Sequence, residues 1–360
     1  MPAKKKTKAY AQAGVDIDLG DRVKGDLKKS LRGASRPEVL GAVGGFGGLF
    51  DLSKSKYKEP VLVSSIDGVG TKLKLAFDSG QHKSVGMDIV NHCVDDISVI
   101  GAEPLFFLDY LGMDKLEPKV FKQLLSGMKE ACAAANCALI GGETAQLPGF
   151  YQPGEYDIAG VIVGIVEKKR MLSGSTIRPG DAVIGLPSNG LHTNGYTLAR
   201  KVIFEKAKLK GSDKVPGARQ RVFKALQAPH TNYAPLIQAL LKSFNTGRSS
   251  KFRKGNALFG IAHITGGGFC GNIPRILPDS VDVEIDTGAW KPQPIFKLIE
   301  ESGGIDFDEM YEVFNMGMGM TLCVDAGQVE AILEACRSHG CRAMRIGNVV
   351  EGSGQVRLLR

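Results

Sequence analysis

Glycine placement constrains this chain more than any other feature. Forty-six of its 360 residues are glycine, about 13% against a typical 7%. The richest stretches sit at the ends of apolar runs rather than in a repeat. Aperiodic glycine excludes a collagen-like fibre and instead marks tight turns or places where backbone approaches a ligand. Four segments stand out: Gly41-Ala-Val-Gly44-Gly45-Phe46-Gly47-Gly48, Asp67-Gly68-Val69-Gly70-Thr71-Lys72, Gly141-Gly142-Glu143-Thr144 and His263-Ile264-Thr265-Gly266-Gly267-Gly268. Backbone N–H groups in such segments can surround phosphate oxygens, and a nearby lysine adds a point charge. The chain has no G-x-x-x-x-G-K-[ST]. Its formal G-x-G-x-x-G at 266–271 is followed by Pro274, which disfavours the long helix of a dinucleotide site.

Between these segments, strand-like and helix-like runs alternate. Val61–Ile66 reads as a strand ended by Asp67-Gly68. Residues 85–100 carry Val85, Ile89, Val90, Val94, Ile97 and Ile100 at helical spacing, and Gly101 with Pro104 closes that helix. Strands are predicted at 105–110, 137–140 and 157–166, with a helix at 118–135. The turn-rich stretch Ser173–Gly180 is the best boundary. Beyond it come strands at 182–187, 258–264, 281–285 and 318–324. Helices are predicted at 194–206, 231–243, 294–301 and 327–338, and 207–219 reads as an exposed, lysine-rich connection. A chain of this length predicts about two domains. The pattern divides it into an α/β unit over 1–172, with 1–9 a flexible tail, and an α+β unit over 173–360.

Charge and cysteine narrow the function classes. The net charge of +8 comes half from Lys4, Lys5, Lys6 and Lys8, so the body is only mildly basic. It shows no basic stripe with interleaved aromatics, which argues against nucleic acid as a partner and leaves an anionic small molecule compatible. No apolar run approaches the roughly 20 residues that span a bilayer, and the N-terminus has no apolar signal region. Seven scattered cysteines suit reduced thiols in the cytoplasm better than a disulfide framework.

Carboxylates accompany the glycine segments. Asp67 ends a strand; Asp88 and Asp95 share one face of the 85–100 helix, with Asp96 rotated by about 100°; Glu143 follows two glycines. Such oxygen ligands suit Mg²⁺ bound together with substrate phosphates. Of the histidines, His192 lies in a polar Asn-Gly-Leu-His-Thr-Asn-Gly loop and His263 precedes a glycine run. His82, His230 and His339 read as surface residues and His92 as a helix-face residue.

Taken in order, these motifs resemble the phosphoribosylformylglycinamidine cyclo-ligase (aminoimidazole ribonucleotide synthetase) family. The matching segments are Ala13-Gly-Val-Asp-Ile-Asp18, Gly44-Gly-Phe-Gly47, Asp67-Gly-Val-Gly-Thr-Lys72, Asp96-x-x-x-x-Gly101-Ala-x-Pro104 and Leu105-Phe-Phe-Leu-Asp-Tyr110. They continue with Gly141-Gly-Glu-Thr144, Gly190-Leu-His-Thr-Asn-Gly195, His263-Ile-Thr-Gly-Gly-Gly268, Asn272-Ile-Pro-Arg275 and Phe314-Asn-Met-Gly317. The D-x-x-x-x-G-A-x-P element is shared with a wider group that includes selenophosphate synthetase, thiamine-monophosphate kinase and a hydrogenase maturation protein. Segments 13–18, 105–110 and 190–195 narrow it to the cyclo-ligase. Asp95, where the family more often has Asn, and Gln146, where it more often has Glu, depart from the pattern.

The resemblance implies a homodimer in which N-terminal strands of two subunits form a β-barrel flanked by helices, followed by an α+β domain. It implies ATP-dependent ring closure of formylglycinamidine ribonucleotide to aminoimidazole ribonucleotide in purine biosynthesis, with Mg²⁺ as the metal. On that pattern Asp67, Asp96 and Glu143 stand near the metal. Gly68, Gly70, Thr71 and Lys72 cradle the ATP phosphates, and Gly44, Gly45, Phe46 and Gly47 fold over the nucleotide. Thr265, Gly266, Gly267 and Gly268 bind the substrate phosphate. His192 and Asn194, with Lys72, serve the reacting amide. The competing expectations are another ATP-using member of the wider group or a non-catalytic nucleotide-binding partner.

Overall fold

The computed structural model describes residues 35–40, 46–53 and 55–360. The lysine tail, segment 13–18, Gly44 and Gly45 lie outside the described residues. After a short pairing of β1 (Val39–Leu40) with β2 (Leu49–Phe50) come four long strands: β3 (Pro60–Gly68), β4 (Glu103–Met113), β5 (Ala138–Gln146) and β6 (Tyr156–Glu167). They form one sheet in the order β3-β6-β4-β5, parallel only between β4 and β5.

Helices α1 (Leu73–Ser79), α2 (Lys83–Ser98) and α3 (Pro118–Ala134) belong to this domain. The α2 stripe Val85, Ile89, Val90, Val94 and Ile97 is buried with Phe107 of β4 and Ile162 of β6. Two close approaches need glycine. A Cβ on Gly86 falls 2.0 Å from the Leu124 carbonyl oxygen, and one on Gly127 falls 2.0 Å from that of Lys83. The α2–α3 backbones therefore touch where neither can carry a side chain. The opposite sheet face behaves differently: Leu62, Ile66 and Tyr110 are 58%, 68% and 42% exposed. Period-2 alternation thus puts apolar groups on both faces of β3, and among the described residues only one of those faces is covered.

The second domain is a six-stranded sheet in the order β12-β9-β11-β7-β10-β8. Its strands are β7 (Ala182–Pro187), β8 (Leu258–His263), β9 (Val281–Asp286), β10 (Met318–Val324), β11 (Met344–Glu351) and β12 (Val356–Leu359). Strand β7 is apolar throughout because both its faces are covered. Val183 packs with Tyr196, Phe296 and Phe314 on one side, and Ala182, Ile184 and Leu186 pack with Leu236, Ile237 and Leu240 on the other. The helices are α4 (Tyr196–Arg200), α5 (Val222–Leu226), α6 (Ala234–Phe244), α7 (Gly268–Asn272), α8 (Pro294–Gly303), α9 (Phe307–Val313) and α10 (Val329–Ser338).

Several elements differ from expectation. Segment 141–144 is strand, not loop, because β5 continues to Gln146 alongside β4. The helix predicted at 194–206 begins at Tyr196 and passes into a π-helical stretch over 201–206. The 207–219 connection is anchored rather than wholly exposed, since Gly211 and Val215 are buried. Strands β11 and β12 were not anticipated. Across the seam, Leu75 of α1 packs into the second domain's core and Ala234 of α6 into the first's.

Candidate active site

The site is assembled where the C-terminal end of β3 meets α2 and the second domain. Alternation along β3 turns Ser65 and Asp67 toward α2. On that helix His92 and Asp96 are four residues apart and so face the strand together. Asp67 accepts from the Gly68 N–H at 2.6 Å and from His92 Nε2 at 2.8 Å. Asp96 accepts from His263 Nδ1 at 2.8 Å and from the Ser65 hydroxyl at 3.1 Å. Burial by itself raises both carboxyls. The bonds from His92 and His263, with the charge these rings can carry, outweigh it and hold both below the usual carboxylate range. Both remain partly open, with side chains 39% and 27% exposed. Two ionised carboxylates with unused lone pairs fit a hard cation shared with phosphate oxygens.

A hydrogen-bonded chain lies behind the pair. His92 Nδ1 meets Thr193 Oγ1 at 2.7 Å, and Thr193 Oγ1 meets His230 Nδ1 at 3.3 Å. His230 Nε2 meets His263 Nε2 at 3.0 Å, and the His192 ring stacks on His230 with centroids 4.0 Å apart. Burial opposes charge on His92, but its bond to Asp67 and the surrounding carboxylates raise it overall. Burial dominates at His192, His230 and His263 and holds all three neutral to lower pH than usual.

The glycine segments border this centre. Gly70 is in the left-handed region at φ +64, and nothing lies within 4 Å of where its Cβ would be. Thr71 is exposed and its hydroxyl meets that of Thr197 across the seam at 2.9 Å. In the second domain Asn272 donates to the carbonyls of Gly266 and Gly268 at 3.2 and 2.8 Å, and Thr265 Oγ1 donates to Asn272 Oδ1 at 3.3 Å. Gly268 is obligatory, because a Cβ there falls 1.7 Å from the Tyr311 carbonyl oxygen. Asn194 adjoins this loop: a Cβ on Gly266 falls 3.3 Å from its Oδ1.

Lys72, Glu143 and His192 depart from their expected places. The Lys72 ammonium is buried and turned inward, 2.8 Å from the Asp88 carboxylate, with bonds to the His192 and Ala228 carbonyls at 2.9 and 2.8 Å. Its three N–H groups are all engaged, so it ties the two domains together and none is left for a phosphate. Glu143 is exposed on β5 opposite Tyr110. Asp67 pairs in register with Gly160, Gly160 with Asp109, and Asp109 with Gly142. Glu143 is therefore three strands away, roughly 14 Å at the usual strand spacing, and on the other sheet face. Within one chain it does not join Asp67 and Asp96. His192 is 1% exposed, behind the carboxylates rather than open to a substrate. Phe46 and Gly47, by contrast, are exposed.

Sequence reasoning missed His92 as a partner of Asp67, and it placed His82 and His230 on the surface, where the structure buries both. The i, i+4 spacing of His92 and Asp96 was the available signal. For His230 no local signal existed, since its partners come from segments near 95, 193 and 263.

The fold and site define a two-domain protein with a carboxylate pair at the seam and glycine-rich segments on both sides of it. Residues 53–166 match the family described as AIR synthase related protein, N-terminal domain, and residues 178–359 match its C-terminal domain. The chain belongs to the AIR synthase related protein family. Among curated relatives, phosphoribosylformylglycinamidine cyclo-ligase of Geobacillus thermodenitrificans is 47% identical over 347 residues, covering 96% of this chain and 97% of that one. The enzyme of the same name from Trichlorobacter lovleyi is 48% identical, covering 94% of each. Among solved structures, hydrogenase maturation protein HypE in complex with ATP aligns with TM-score 0.65 at 18% identity, covering 94% of this chain and 90% of that one. Thiamine-monophosphate kinase from Stenotrophomonas maltophilia aligns with TM-score 0.62 at 16% identity, covering 94% and 95%. These last two likenesses establish the fold.

Proposed function

We propose that this chain catalyses the ATP-dependent ring closure of formylglycinamidine ribonucleotide to aminoimidazole ribonucleotide, releasing ADP and phosphate. The observation that carries the reading is 47–48% identity to enzymes of that name over at least 94% of the chain. The site supplies suitable chemistry. The formyl-amide oxygen is a poor leaving group. It attacks the γ-phosphorus as ADP departs, and the amidine nitrogen then bonds to the same carbon and expels phosphate. Catalysis of this kind rests on charge neutralisation and alignment.

In this reading Asp67 and Asp96 hold Mg²⁺, which supplies charge neutralisation at the phosphates when bound. Gly68, Gly70 and Thr71 present backbone and hydroxyl donors to the nucleotide. Thr265–Gly268 receives the substrate phosphate, and Asn194, beside that loop, orients the amide. His192 acts as a positioning residue through the loop that contains it. The exposed apolar face of β3 and β4 is the surface through which two copies pair. Pairing also gives Glu143, which lies on that same face, a route to the partner's site. Among the described residues no helix is long and apolar enough to cross a membrane. The test is to follow ADP and aminoimidazole ribonucleotide together, with and without formylglycinamidine ribonucleotide. Stoichiometric formation of both supports the proposal, and ADP release without the imidazole refutes it.

A further inference from the structure

Asp67 and Asp96 stand at the two ends of one hydrogen-bonded path. From Asp67 it runs to His92 Nε2 at 2.8 Å, from His92 Nδ1 to Thr193 Oγ1 at 2.7 Å, and from that hydroxyl to His230 Nδ1 at 3.3 Å. It continues from His230 Nε2 to His263 Nε2 at 3.0 Å and ends where His263 Nδ1 meets Asp96 at 2.8 Å. Thr193 is the midpoint of this path. It comes from the β7–α4 loop of the second domain, whereas Asp67, His92 and Asp96 belong to the first. Thr193 is 8% exposed, and the three rings are buried with it.

The path constrains each member through the next. A hydroxyl carries one hydrogen. Thr193 therefore donates to one of its two ring nitrogens and accepts from the N–H of the other, so the Nδ1 atoms of His92 and His230 are in opposite states. In each ring, the nitrogen that bears hydrogen is set by the partner of the other nitrogen. The choice made at Thr193 thus passes outward to the nitrogens that face Asp67 and Asp96. Packing alone cannot make it. Ring centroids 5.2 Å apart for His92 and His230, and 5.3 Å for His92 and His263, fix where the rings lie but not which nitrogen donates. Orientation matters most at His92. Its Nε2 is 2.8 Å from Asp67 and 4.0 Å from Asp96, so a ring freed at Nδ1 can turn from one carboxylate toward the other.

We propose that Thr193 is a positioning residue for the carboxylate pair. Its hydroxyl, seated between His92 and His230, holds the rings that orient Asp67 and Asp96 for a hard cation. The second domain thereby completes a pair whose two carboxylates both belong to the first. The proposal rests on the reading in which Asp67 and Asp96 hold Mg²⁺ beside the nucleotide.

Mn(II) is the probe, followed by electron paramagnetic resonance on the full-length protein with a non-hydrolysable ATP analogue, so that binding is read without turnover. Thr193→Val keeps the branched shape and removes the hydroxyl. It should weaken Mn(II) binding at least about tenfold and lower kcat at least about tenfold, with KM for formylglycinamidine ribonucleotide little changed. Thr193→Ser returns the hydroxyl and should restore both Mn(II) affinity and kcat to near the parent values. A threonine that only fills space predicts the reverse, with Thr193→Ser at least as damaging to stability as Thr193→Val and Mn(II) affinity unchanged in both. That result overturns the proposal. Should Thr193→Val fail to fold, Thr193→Ala decides by the same measurements. A parent protein that holds no Mn(II) with the analogue overturns the metal reading and the proposal together, whereas parental Mn(II) affinity in a folded Thr193→Val variant overturns the proposal alone.

Discussion

Replacing Lys72 with Met separates a phosphate-binding lysine from one that joins the domains. The ammonium and its partner Asp88 are 1% and 0% exposed and 2.8 Å apart. Removing one member of such a pair leaves a buried charge, a loss of about 3–5 kcal/mol. Asp88 keeps the His230 N–H at 2.7 Å, which sets the charge contribution near the lower end, about 3 kcal/mol. The His192 and Ala228 carbonyls also lose their donor, adding about 1 kcal/mol each. The sum, about 5 kcal/mol, lowers the thermal midpoint of a domain of this size by roughly 10–20 °C. Adding Asp88→Asn removes the stranded charge and should restore about 3 kcal/mol, because a pair replaced by neutral groups is often tolerated. Differential scanning calorimetry of the parent, single and double variants measures all three, with ATP and substrate KM recorded on the folded fraction. A Lys72→Met protein that melts within about 3 °C of the parent while its KM for ATP rises tenfold or more refutes the reasoning and puts the ammonium on the phosphates.

Asp67→Asn keeps the shape and one acceptor but loses the charge that holds a hard cation; turnover should fall at least about a hundredfold, some 2.7 kcal/mol, with the midpoint little changed, as Mg²⁺-dependent rates and calorimetry will show. Gly86→Ala places a Cβ 2.0 Å from the Leu124 carbonyl oxygen, so α2 and α3 must separate, at about 1–3 kcal/mol in urea unfolding. Deleting residues 2–8, with Lys4, Lys5, Lys6 and Lys8, should change turnover by less than about tenfold, roughly 1.4 kcal/mol. His82, His192 and His230 have folded pKa values lowered by burial from an ordinary 6.5. The unfolded chain then binds more protons below that pH, so stability is full above about 6.5 and declines as pH falls. His92, raised, opposes the trend with a single proton. Midpoints at pH 7.5 and 5.5 measure the net effect, and His82→Gln should flatten it.

What the sequence disclosed followed from how local each signal was. Strands β7 and β10 were legible to the residue, since a strand buried on both faces reads as an uninterrupted apolar run between turn formers. Helix α2 was legible within two residues because its stripe has the helical period. Asp67 was legible as a site carboxylate because it ends a strand and precedes a glycine segment. Lys72 failed for the opposite reason. A lysine after Gly-Val-Gly-Thr reads as a phosphate ligand, yet its neighbours 16, 120 and 156 residues away in sequence are what turn it inward. The same holds for His230, which reads as a surface residue along its own segment: only the docking of the second domain onto α2 buries it beside Asp95. Non-local burial therefore accounts for both kinds of discrepancy, the lysine drawn away from the nucleotide and the histidines drawn in behind it. A domain seam lined with buried ionisable groups must neutralise each of them by pairing or by shifting its titration to the neutral form. The Lys72–Asp88 pair meets that requirement with opposite charges, and Asp95 meets it because burial raises its carboxyl well above the usual range and keeps it neutral.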